Sequence, residues 1–384
     1  MLKNKVQLNI GILEFLYHEV FLYTLIKLVH EYNVTVFTTE RVFNNISFLL
    51  GENDKRIKWI FREKEETLDN FLRRVNEYSS KSIDLLFVNT LQGDTRNYLT
   101  YYFLNPKCKK LLVTARYEEW FCQKYSLLHP IRDDGHNFQL FFRKRILNHF
   151  DGIIVHTLKE KEFLLSKKQQ LRIFVIPYTL TEKNNTLANS EGRKNDTIKF
   201  GITGAIDDRR RDYDFVLKIV ETFTDELKSK FALYLIGRPV SRYGNRIISK
   251  CKELKRKGFN IVWFENYIEE KEYVFLVKKM DFLISPIKTE YYTLQGYTSA
   301  VVDSIRFLKP VIFPKNYDVL DEVKSISLFY ENSEDLKLLI SSIILNESDS
   351  FNKSRFQANL ISQNFSIERW QKIINVYVEN IFSK

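Results

Sequence analysis

The chain has 384 residues, 44% hydrophobic and 28% charged, a balance typical of globular proteins that excludes long disordered segments. This length exceeds what one hydrophobic core usually supports, so it predicts two domains. The formal net charge of +11 favours an anionic partner such as a phosphate-bearing ligand, and the lack of a long basic tail argues against nucleic acid.

Short apolar runs alternate with longer helical patterns from the N-terminus to about Tyr178. This alternation predicts a parallel sheet wound with helices, and therefore a Rossmann-like domain over residues 1–180. The first apolar run has no small-residue cleavage site, so it predicts a strand and not a signal peptide. The predicted strands are LNIGILE, VTVFTT, IKWIF, IDLLFV, KLLVTA, GIIVHT and IFVIPY.

Periodicity is lost over residues 181–197, which are rich in Asn, Thr, Ser and Gly and predict an interdomain linker. A second Rossmann-like domain is predicted over 198–365, followed at 366–384 by an amphipathic helix that packs back onto the first domain. The strands of the second domain are predicted at IKFGITG, FALYLIG, FNIVWF, DFLISPI, KPVIFP and SLFYE. Ligands of such sheets bind beyond the carboxyl ends of the strands, so we expect two sheets facing a cleft.

The residues that usually bind metals show no metal-site spacing. The cysteines are far apart, at Cys108, Cys122 and Cys251, and favour a reducing, cytoplasmic compartment. The adjacent acids Asp207 and Asp208 lie beside arginines and do not form a DxD motif. We therefore expect no metal and no tightly bound cofactor.

A glycine and a cluster of arginines follow the first strand of the second series. Gly204 lets the backbone approach a ligand closely, and the arginines precede a helix predicted to begin near Asp212. Positive charge ahead of a helix N-terminus favours an anion, so Arg210 and Arg211 form a candidate diphosphate clamp. The alternative is a solvated basic turn, partly neutralised by its two neighbouring aspartates.

A second candidate segment is YTLQGYTSAVVDSIRFLKPVIF, where a loop containing Gln295 and Gly296 leads into a predicted helix. Ser299 and Asp303 are four positions apart and therefore share one face near the start of that helix. Small residues and free amides at this point suit a phosphate, and a carboxylate one turn later can accept both hydroxyls of a ribose. The alternative is that Asp303 only interacts with the helix dipole.

From Lys199 to Phe382 these segments resemble the nucleotide-binding domain of GT-B glycosyltransferases, particularly retaining family 4, and the first half shows a weaker similarity. The segment GITGAIDDRRRDY is similar to the family's glycine-ended strand and its diphosphate-binding lysine. Arg211 occupies the lysine position, with Arg210 beside it. The resemblance implies a GT-B fold, with an acceptor-side domain first and a donor domain second.

The same resemblance assigns roles to further residues. The segment FENYIEEKEYVFLVKKMDFLISP resembles the family segment whose backbone contacts the nucleobase, here through Tyr267 and Ile268. Asp303 corresponds to the family's ribose-binding glutamate. The family's other glutamate, which contacts the donor sugar, corresponds to Glu290 or to Gln295, depending on the alignment.

In the first half, Arg116 stands where many relatives have a histidine facing the reacting sugar. The resemblance implies a retaining, metal-independent hexosyltransferase that uses a UDP- or GDP-sugar as cosubstrate and a glycan or lipid-linked acceptor. Two other classes remain open. A sugar-nucleotide epimerase could use Glu118 and Glu119 as acid and base. A non-catalytic partner is favoured by Gln295 and Arg116, which differ from the family's residues at those positions.

The segment FQLFFRKRILNHF, residues 138–150, mixes aromatic and basic residues. Such a helix can lie on an anionic membrane, which would make the protein peripheral on the inner face of the membrane. The alternative is an ordinary helix with a basic outer face and its aromatic residues in the core.

Overall fold

A computed structural model describes residues 8–16, 18–51, 54, 56–89, 108–114, 149–166, 172–182, 197–289, 297–345 and 360–383. The chain divides into two compact units. The first unit comprises Met1–Tyr178 together with Ile367–Lys384, and the second comprises Thr179–Ser366.

The first unit contains a seven-stranded parallel sheet with the order β3-β2-β1-β4-β5-β6-β7. Strand β1 lies inside the sheet, where Ile10 is opposite Val34 on one side and Leu85 on the other. Its strands are nearly continuous apolar runs, as expected when helices cover both faces. The strands are β1 (Asn9–Leu13), β2 (Asn33–Thr38), β3 (Lys58–Phe61), β4 (Leu85–Val88), β5 (Lys110–Thr114), β6 (Gly152–Val155) and β7 (Arg172–Val175).

The helices described between these strands are α1 (Glu19–Leu28), α2 (Glu40–Ile46), α3 (Leu68–Ser82) and α4 (Leu158–Ser166), with a 3₁₀ turn at Ser47–Leu49. The C-terminal helix (Ile367–Phe382) packs against α1 in this unit. The Tyr32 hydroxyl donates to Asn375 Oδ1 at 2.8 Å, and Gln371 Nε2 donates to the Lys27 carbonyl at 2.8 Å. The end of the chain is thereby hydrogen-bonded to the region that follows the first strand.

The second unit contains a six-stranded parallel sheet with the order β10-β9-β8-β11-β12-β13. Phe200 on β8 is opposite Leu233 on β9 and Phe282 on β11, and all three side chains are fully buried. The strands are β8 (Ile198–Thr203), β9 (Phe231–Ile236), β10 (Ile261–Trp263), β11 (Phe282–Ile284), β12 (Val311–Pro314) and β13 (Ser327–Tyr330).

The described helices of the second unit are α5 (Tyr213–Glu221), α6 (Asp225–Lys230), α7 (Arg242–Arg256), α8 (Glu270–Lys279), α9 (Ser299–Phe307), α10 (Asp321–Lys324) and α11 (Ser333–Leu345). Helix α9 has clear local start and stop signals. The Thr298 side chain accepts from the Val301 amide at 3.2 Å. At the other end Leu308 adopts a left-handed conformation with φ of 55°, and Pro310 prevents any continuation.

Residues 179–182 form the start of the second unit. The Thr181 hydroxyl donates to the Ile305 carbonyl at 3.2 Å, and the Glu182 amide donates to the Arg306 carbonyl at 3.3 Å. Thr181 and Glu182 are predicted from the sequence to belong to the linker, because nothing in their polar side chains indicates these contacts with α9. Residues 183–196, the rest of the predicted linker, lie outside the described residues.

Each strand predicted from the sequence is present, and both sheets are parallel and wound with helices. The predicted α/β class is therefore confirmed. No helix in the described ranges combines the length and apolar character that crossing a bilayer requires. Within the same ranges, no three His, Cys, Asp or Glu side chains are arranged to hold a metal ion.

Candidate functional site

The candidate site lies at the carboxyl ends of β8 and β11. These strands are neighbours in the sheet, and the strand order reverses direction between them, from β8-β9-β10 on one side to β11-β12-β13 on the other. Open α/β sheets bind ligands in the crevice at such a switch point. Gly204 follows β8 and Pro286 follows β11, so both predicted site loops begin here.

Gly204 permits an unusually close approach at this point. Its φ is +100°, a conformation that side-chain-bearing residues rarely adopt. A Cβ atom built on Gly204 would lie only 2.6 Å from Arg211 Nη2, so the guanidinium rests against the glycine backbone. Gly237, which follows β9, permits a similarly close approach to Gly204. A Cβ atom built on Gly237 would lie 2.0 Å from the Gly204 carbonyl oxygen.

The loop carrying the arginines is held in place by backbone contacts. Asp207 Oδ1 accepts from the amides of Arg209 and Arg210 at 3.0 Å each. Arg211 forms an antiparallel bridge with Ile287, in the loop that follows β11. This arrangement buries the Arg211 side chain and leaves Arg210 exposed, so the structure separates the two arginines that the sequence assigns to one clamp.

Arg211 is a buried cation, only 5% exposed. Its Nη2 donates to Ser299 Oγ at 2.7 Å and its Nη1 donates to the Ala205 carbonyl at 3.5 Å. Among the described residues, none places a carboxylate within ion-pair distance of this guanidinium. Burying a charge without a counter-charge is costly, so an anion bound here would stabilise the site.

Ser299 connects this arginine to the start of α9. Its hydroxyl accepts from Arg211 and donates to the Thr203 carbonyl at 3.1 Å, at the end of β8. The amides of Ser299 and Ala300 occupy the first turn of the helix, where no preceding helical carbonyl can accept from them. A guanidinium beside a helix N-terminus is a suitable environment for a phosphate group.

The helix after the arginine loop makes a different contribution from the predicted one. Helix α5 begins after Asp212, as predicted, but its first amides are already occupied. Asp212 Oδ1 accepts from the Phe215 amide at 3.0 Å, and the Tyr243 hydroxyl accepts from the amides of Tyr213 and Asp214 at 3.0 and 3.3 Å. An anion bound here would therefore find amide donors at the start of α9, because those at the start of α5 already have acceptors.

Asp303 lies one turn beyond Ser299 and is 2% exposed. The Tyr273 hydroxyl, from α8, donates to Asp303 Oδ2 at 2.5 Å, and the Thr203 side chain also hydrogen-bonds the carboxylate. Burial raises the pKa of Asp303 to about 7, although these two hydrogen bonds and the charge of Arg306 act in the opposite direction. A ligand can reach this carboxylate only after a local rearrangement.

Arg306 follows Asp303 by three positions on the same helix and is also buried. It is 2% exposed; its Nε pairs with Glu182 Oε1 at 2.9 Å and its Nη1 with Glu270 Oε1 at 2.7 Å. Lys278 adds a third contact, to Glu182 Oε2 at 2.9 Å. Sequence reasoning missed this cluster, although a charged Arg306 on an apolar helix face was a signal for it.

The remaining predicted residues fall into two groups. Tyr267 and Ile268 lie in the loop between β10 and α8, where Tyr267 is 61% exposed and the Ile268 side chain is part of the hydrophobic core. Their predicted backbone contacts with a nucleobase stay predictions. The second group, Arg116, Glu290, Gln295 and Gly296, lies outside the described residues. Most of segment 138–150 also lies outside them.

Comparisons with known proteins give similarity at the level of structure. No family model matches the chain, and no curated protein sequence matches it. HepE from Anabaena, solved in complex with UDP-glucose, aligns with a TM-score of 0.64 and 12% identity over 97% of this chain and 99% of HepE. The lipopolysaccharide outer core galactosyltransferase WaaB aligns with a TM-score of 0.56 and 12% identity over 97% of this chain and 99% of WaaB.

A Listeria monocytogenes protein described as a UDP-N-acetylglucosamine 2-epimerase also aligns, with a TM-score of 0.54 and 16% identity over 99% of this chain and 98% of that one. Sequence identities this low establish the fold only. The predicted GT-B fold is confirmed, with a parallel-sheet α/β unit in each half of the chain.

Proposed function

We propose that this protein is a glycosyltransferase that moves a sugar from a nucleoside diphosphate donor, a UDP- or GDP-sugar, to a glycan or lipid-linked acceptor. The observation that carries the proposal is Arg211, a buried guanidinium without a carboxylate partner among the described residues, beside the first turn of α9. The fold supports it, because HepE and WaaB share the architecture and HepE binds UDP-glucose.

In this proposal the second unit binds the donor. The diphosphate lies between Arg211, Gly204 and the amides at the start of α9, and the ribose hydroxyls donate to Asp303. The backbone at Tyr267 and Ile268 contacts the base. When the sugar leaves, negative charge develops on the diphosphate, and preorganised donors aimed at that charge lower the barrier by several kcal/mol.

This arrangement requires no divalent ion, because a guanidinium and helix amides already face the leaving group. We further propose retention of configuration, with the leaving phosphate helping to deprotonate the incoming hydroxyl. Arg210 extends the positive surface of the loop. Arg116 and either Glu290 or Gln295 are assigned to the sugar, as the family resemblance implies, and Gly296 to the loop that leads into the phosphate-binding helix.

We expect the protein to act in the cytoplasm in polysaccharide or glycoconjugate assembly. A lipid-linked acceptor would bring it to the inner face of an anionic membrane, and segment 138–150 is the proposed contact. Binding to vesicles with and without anionic lipid, compared with a variant in which Arg143, Lys144 and Arg145 are neutralised, tests that location separately from catalysis.

The first test is calorimetric titration of UDP, GDP, ADP and CMP, without metal and then with magnesium. We expect one nucleoside diphosphate to bind without metal. Arg211→Ala should weaken that binding by about 1–3 kcal/mol, the size of a lost charge-assisted hydrogen bond. The matched control is Arg209→Ala, which removes an exposed arginine of the same loop. Equal affinities for the Arg211 variant and the wild type would remove this residue from the site.

Two alternatives make different predictions about turnover. An epimerase is favoured by the likeness to the Listeria protein, and it would convert the donor sugar without any acceptor. A non-catalytic partner subunit would bind the nucleotide and turn over neither substrate. Release of free nucleoside diphosphate only when an acceptor glycan is present supports the transferase against both.

A further inference from the structure

The contact between Tyr273 and Asp303 defines a further element of this site. Tyr273 lies on α8, in the sequence that follows the loop at Tyr267 and Ile268. Its ring packs against the hydrophobic core of the second unit, and its hydroxyl donates to Asp303 Oδ2 at 2.5 Å. The ring is held by packing, so the direction of the hydroxyl is fixed.

Three elements place polar groups around the Asp303 carboxylate. Helix α9 itself contributes Arg306, α8 contributes Tyr273 and Glu270, and β8 contributes Thr203. Burial raises the pKa of the carboxyl to about 7, and Tyr273 is the strongest of the groups that lower it, ahead of Thr203 and Arg306; Glu270 raises it further. Burial and these neighbours together therefore place the pKa of Asp303 near neutral pH.

That state matters for the ligand. An ionised carboxylate is an acceptor only, with about four lone-pair positions, so once a local rearrangement admits the ligand it can keep its two protein donors and still accept two ribose hydroxyls. A protonated carboxyl carries a donor of its own and matches a diol less well. We propose that Tyr273 is a positioning residue for nucleotide binding: its hydroxyl fixes the Asp303 carboxylate and favours the ionised form that accepts the ribose hydroxyls.

This inference rests on the proposed function. Its test compares the wild type with Tyr273→Phe, which keeps the ring and removes only the hydroxyl. UDP and 2′-deoxy-UDP are titrated by calorimetry from pH 5.5 to 9. We expect the midpoint of the pH dependence of UDP affinity to rise by about one pH unit in the variant, because a hydrogen bond to the charged form is lost.

At pH 7 the variant should bind UDP about fivefold more weakly than the wild type, approaching tenfold at lower pH, and the two should converge towards pH 9. The loss of affinity caused by Tyr273→Phe should be smaller for 2′-deoxy-UDP, which has one ribose hydroxyl fewer to donate. Nucleotide phosphate groups also titrate near neutral pH, at about pH 6 in a phosphorylated side chain. The Asp303→Asn variant has no carboxyl to titrate at this position, so any pH dependence that it keeps measures the contribution of the nucleotide phosphates.

The matched control is Tyr32→Phe, which removes a tyrosine hydroxyl bonded to Asn375 in the first unit and should leave the pH profile unchanged. If Tyr273→Phe does not fold, Thr203→Val tests the same idea by removing the second donor, with a smaller shift in the same direction.

Equal loss of UDP and 2′-deoxy-UDP at every pH, or an unshifted midpoint, would overturn the role of Tyr273 while leaving the proposed function intact. A wild-type protein that binds none of UDP, GDP or ADP would overturn both.

Discussion

The two units have the same strand order at their centres but opposite chemistry at the point where that order reverses. In the first unit, fully buried Glu14 follows β1. Its Oε2 accepts from Asn89 Nδ2 at 2.6 Å, just after β4, and its Oε1 accepts from the Leu16 amide at 2.7 Å. In the second unit Gly204 follows the corresponding strand β8, and the buried Arg211 lies further along the same loop.

The difference concerns how each buried charge is satisfied. The Glu14 carboxylate already accepts from two protein donors, an arrangement that stabilises the local fold. Among the described residues, the Arg211 guanidinium has a hydroxyl and a distant carbonyl as hydrogen-bond partners and no carboxylate within ion-pair distance. The two units therefore share an architecture but differ in the charge that is buried in the loop after β1 and in the loop after β8.

The largest effect is expected for Glu14→Leu, which removes the acceptor of the buried Asn89 amide and of the part-buried Leu16 N–H. We expect the free energy of unfolding to fall by about 3 kcal/mol, the cost of one buried and one part-buried donor that lose their acceptor. Urea denaturation measures this, with nucleotide affinity of the folded variant as a second readout. Stability lowered by less than 1 kcal/mol, or a nucleotide affinity that falls in parallel, would contradict the contrast between the units.

A smaller effect is expected for Gly204→Ala, because the left-handed backbone and the contact with Arg211 both oppose a Cβ atom. We expect a loss of about 2 kcal/mol in unfolding free energy together with weaker nucleotide binding. The matched control is Gly258→Ala, whose φ is +88° but whose Cβ would meet nothing within 4 Å. If both variants lose the same stability and bind nucleotide equally well, the guanidinium does not depend on Gly204.

The third effect is a pH dependence of stability, which is the smallest of the three per pH unit. Because the pKa of Asp303 is raised to about 7, the folded protein retains a proton that the unfolded chain has lost above about pH 4. The free energy of unfolding should therefore decrease as pH rises from about 4 to 7, by at most about 1.4 kcal/mol per pH unit from this group.

Asp303→Asn should remove that contribution, so its stability should rise relative to the wild type between pH 5 and pH 8 in urea denaturation. Asp225→Asn, at a fully solvated carboxylate on α6, is the control and should follow the wild type. Parallel pH profiles for the wild type and Asp303→Asn would mean that this carboxyl titrates normally.

Much of the fold follows from local sequence. Apolar runs bounded by Gly, Pro and Asn predict every strand that the structure describes. A strand buried on both faces is a nearly continuous apolar run, and turn residues mark its two ends. Parts of the candidate site follow in the same way. Gly204, Arg211 and Ser299 belong to loops after neighbouring strands, and parallel strands bring such loops together.

The rest depends on contacts between distant segments. Nothing near Asp212 reveals that the Tyr243 hydroxyl occupies the first amides of α5. Likewise, Tyr273 fits an apolar helix face, and only the packing of α8 on α9 shows that its hydroxyl meets Asp303. Arg210 is exposed and Arg211 is buried and bridged to Ile287, a difference that sequence spacing does not encode.

The contacts of residues 179–182 with α9 determine where an isolated donor unit should begin. A fragment starting at β8 would lack Glu182 and leave Arg306 with Glu270 as its remaining described carboxylate partner. A buried guanidinium that loses one of two counter-charges destabilises the helix that carries Ser299 and Asp303. Expression of the second unit alone should therefore start at Thr179, so that this short polar segment, which resembles dispensable linker in the sequence, is kept with the domain it supports.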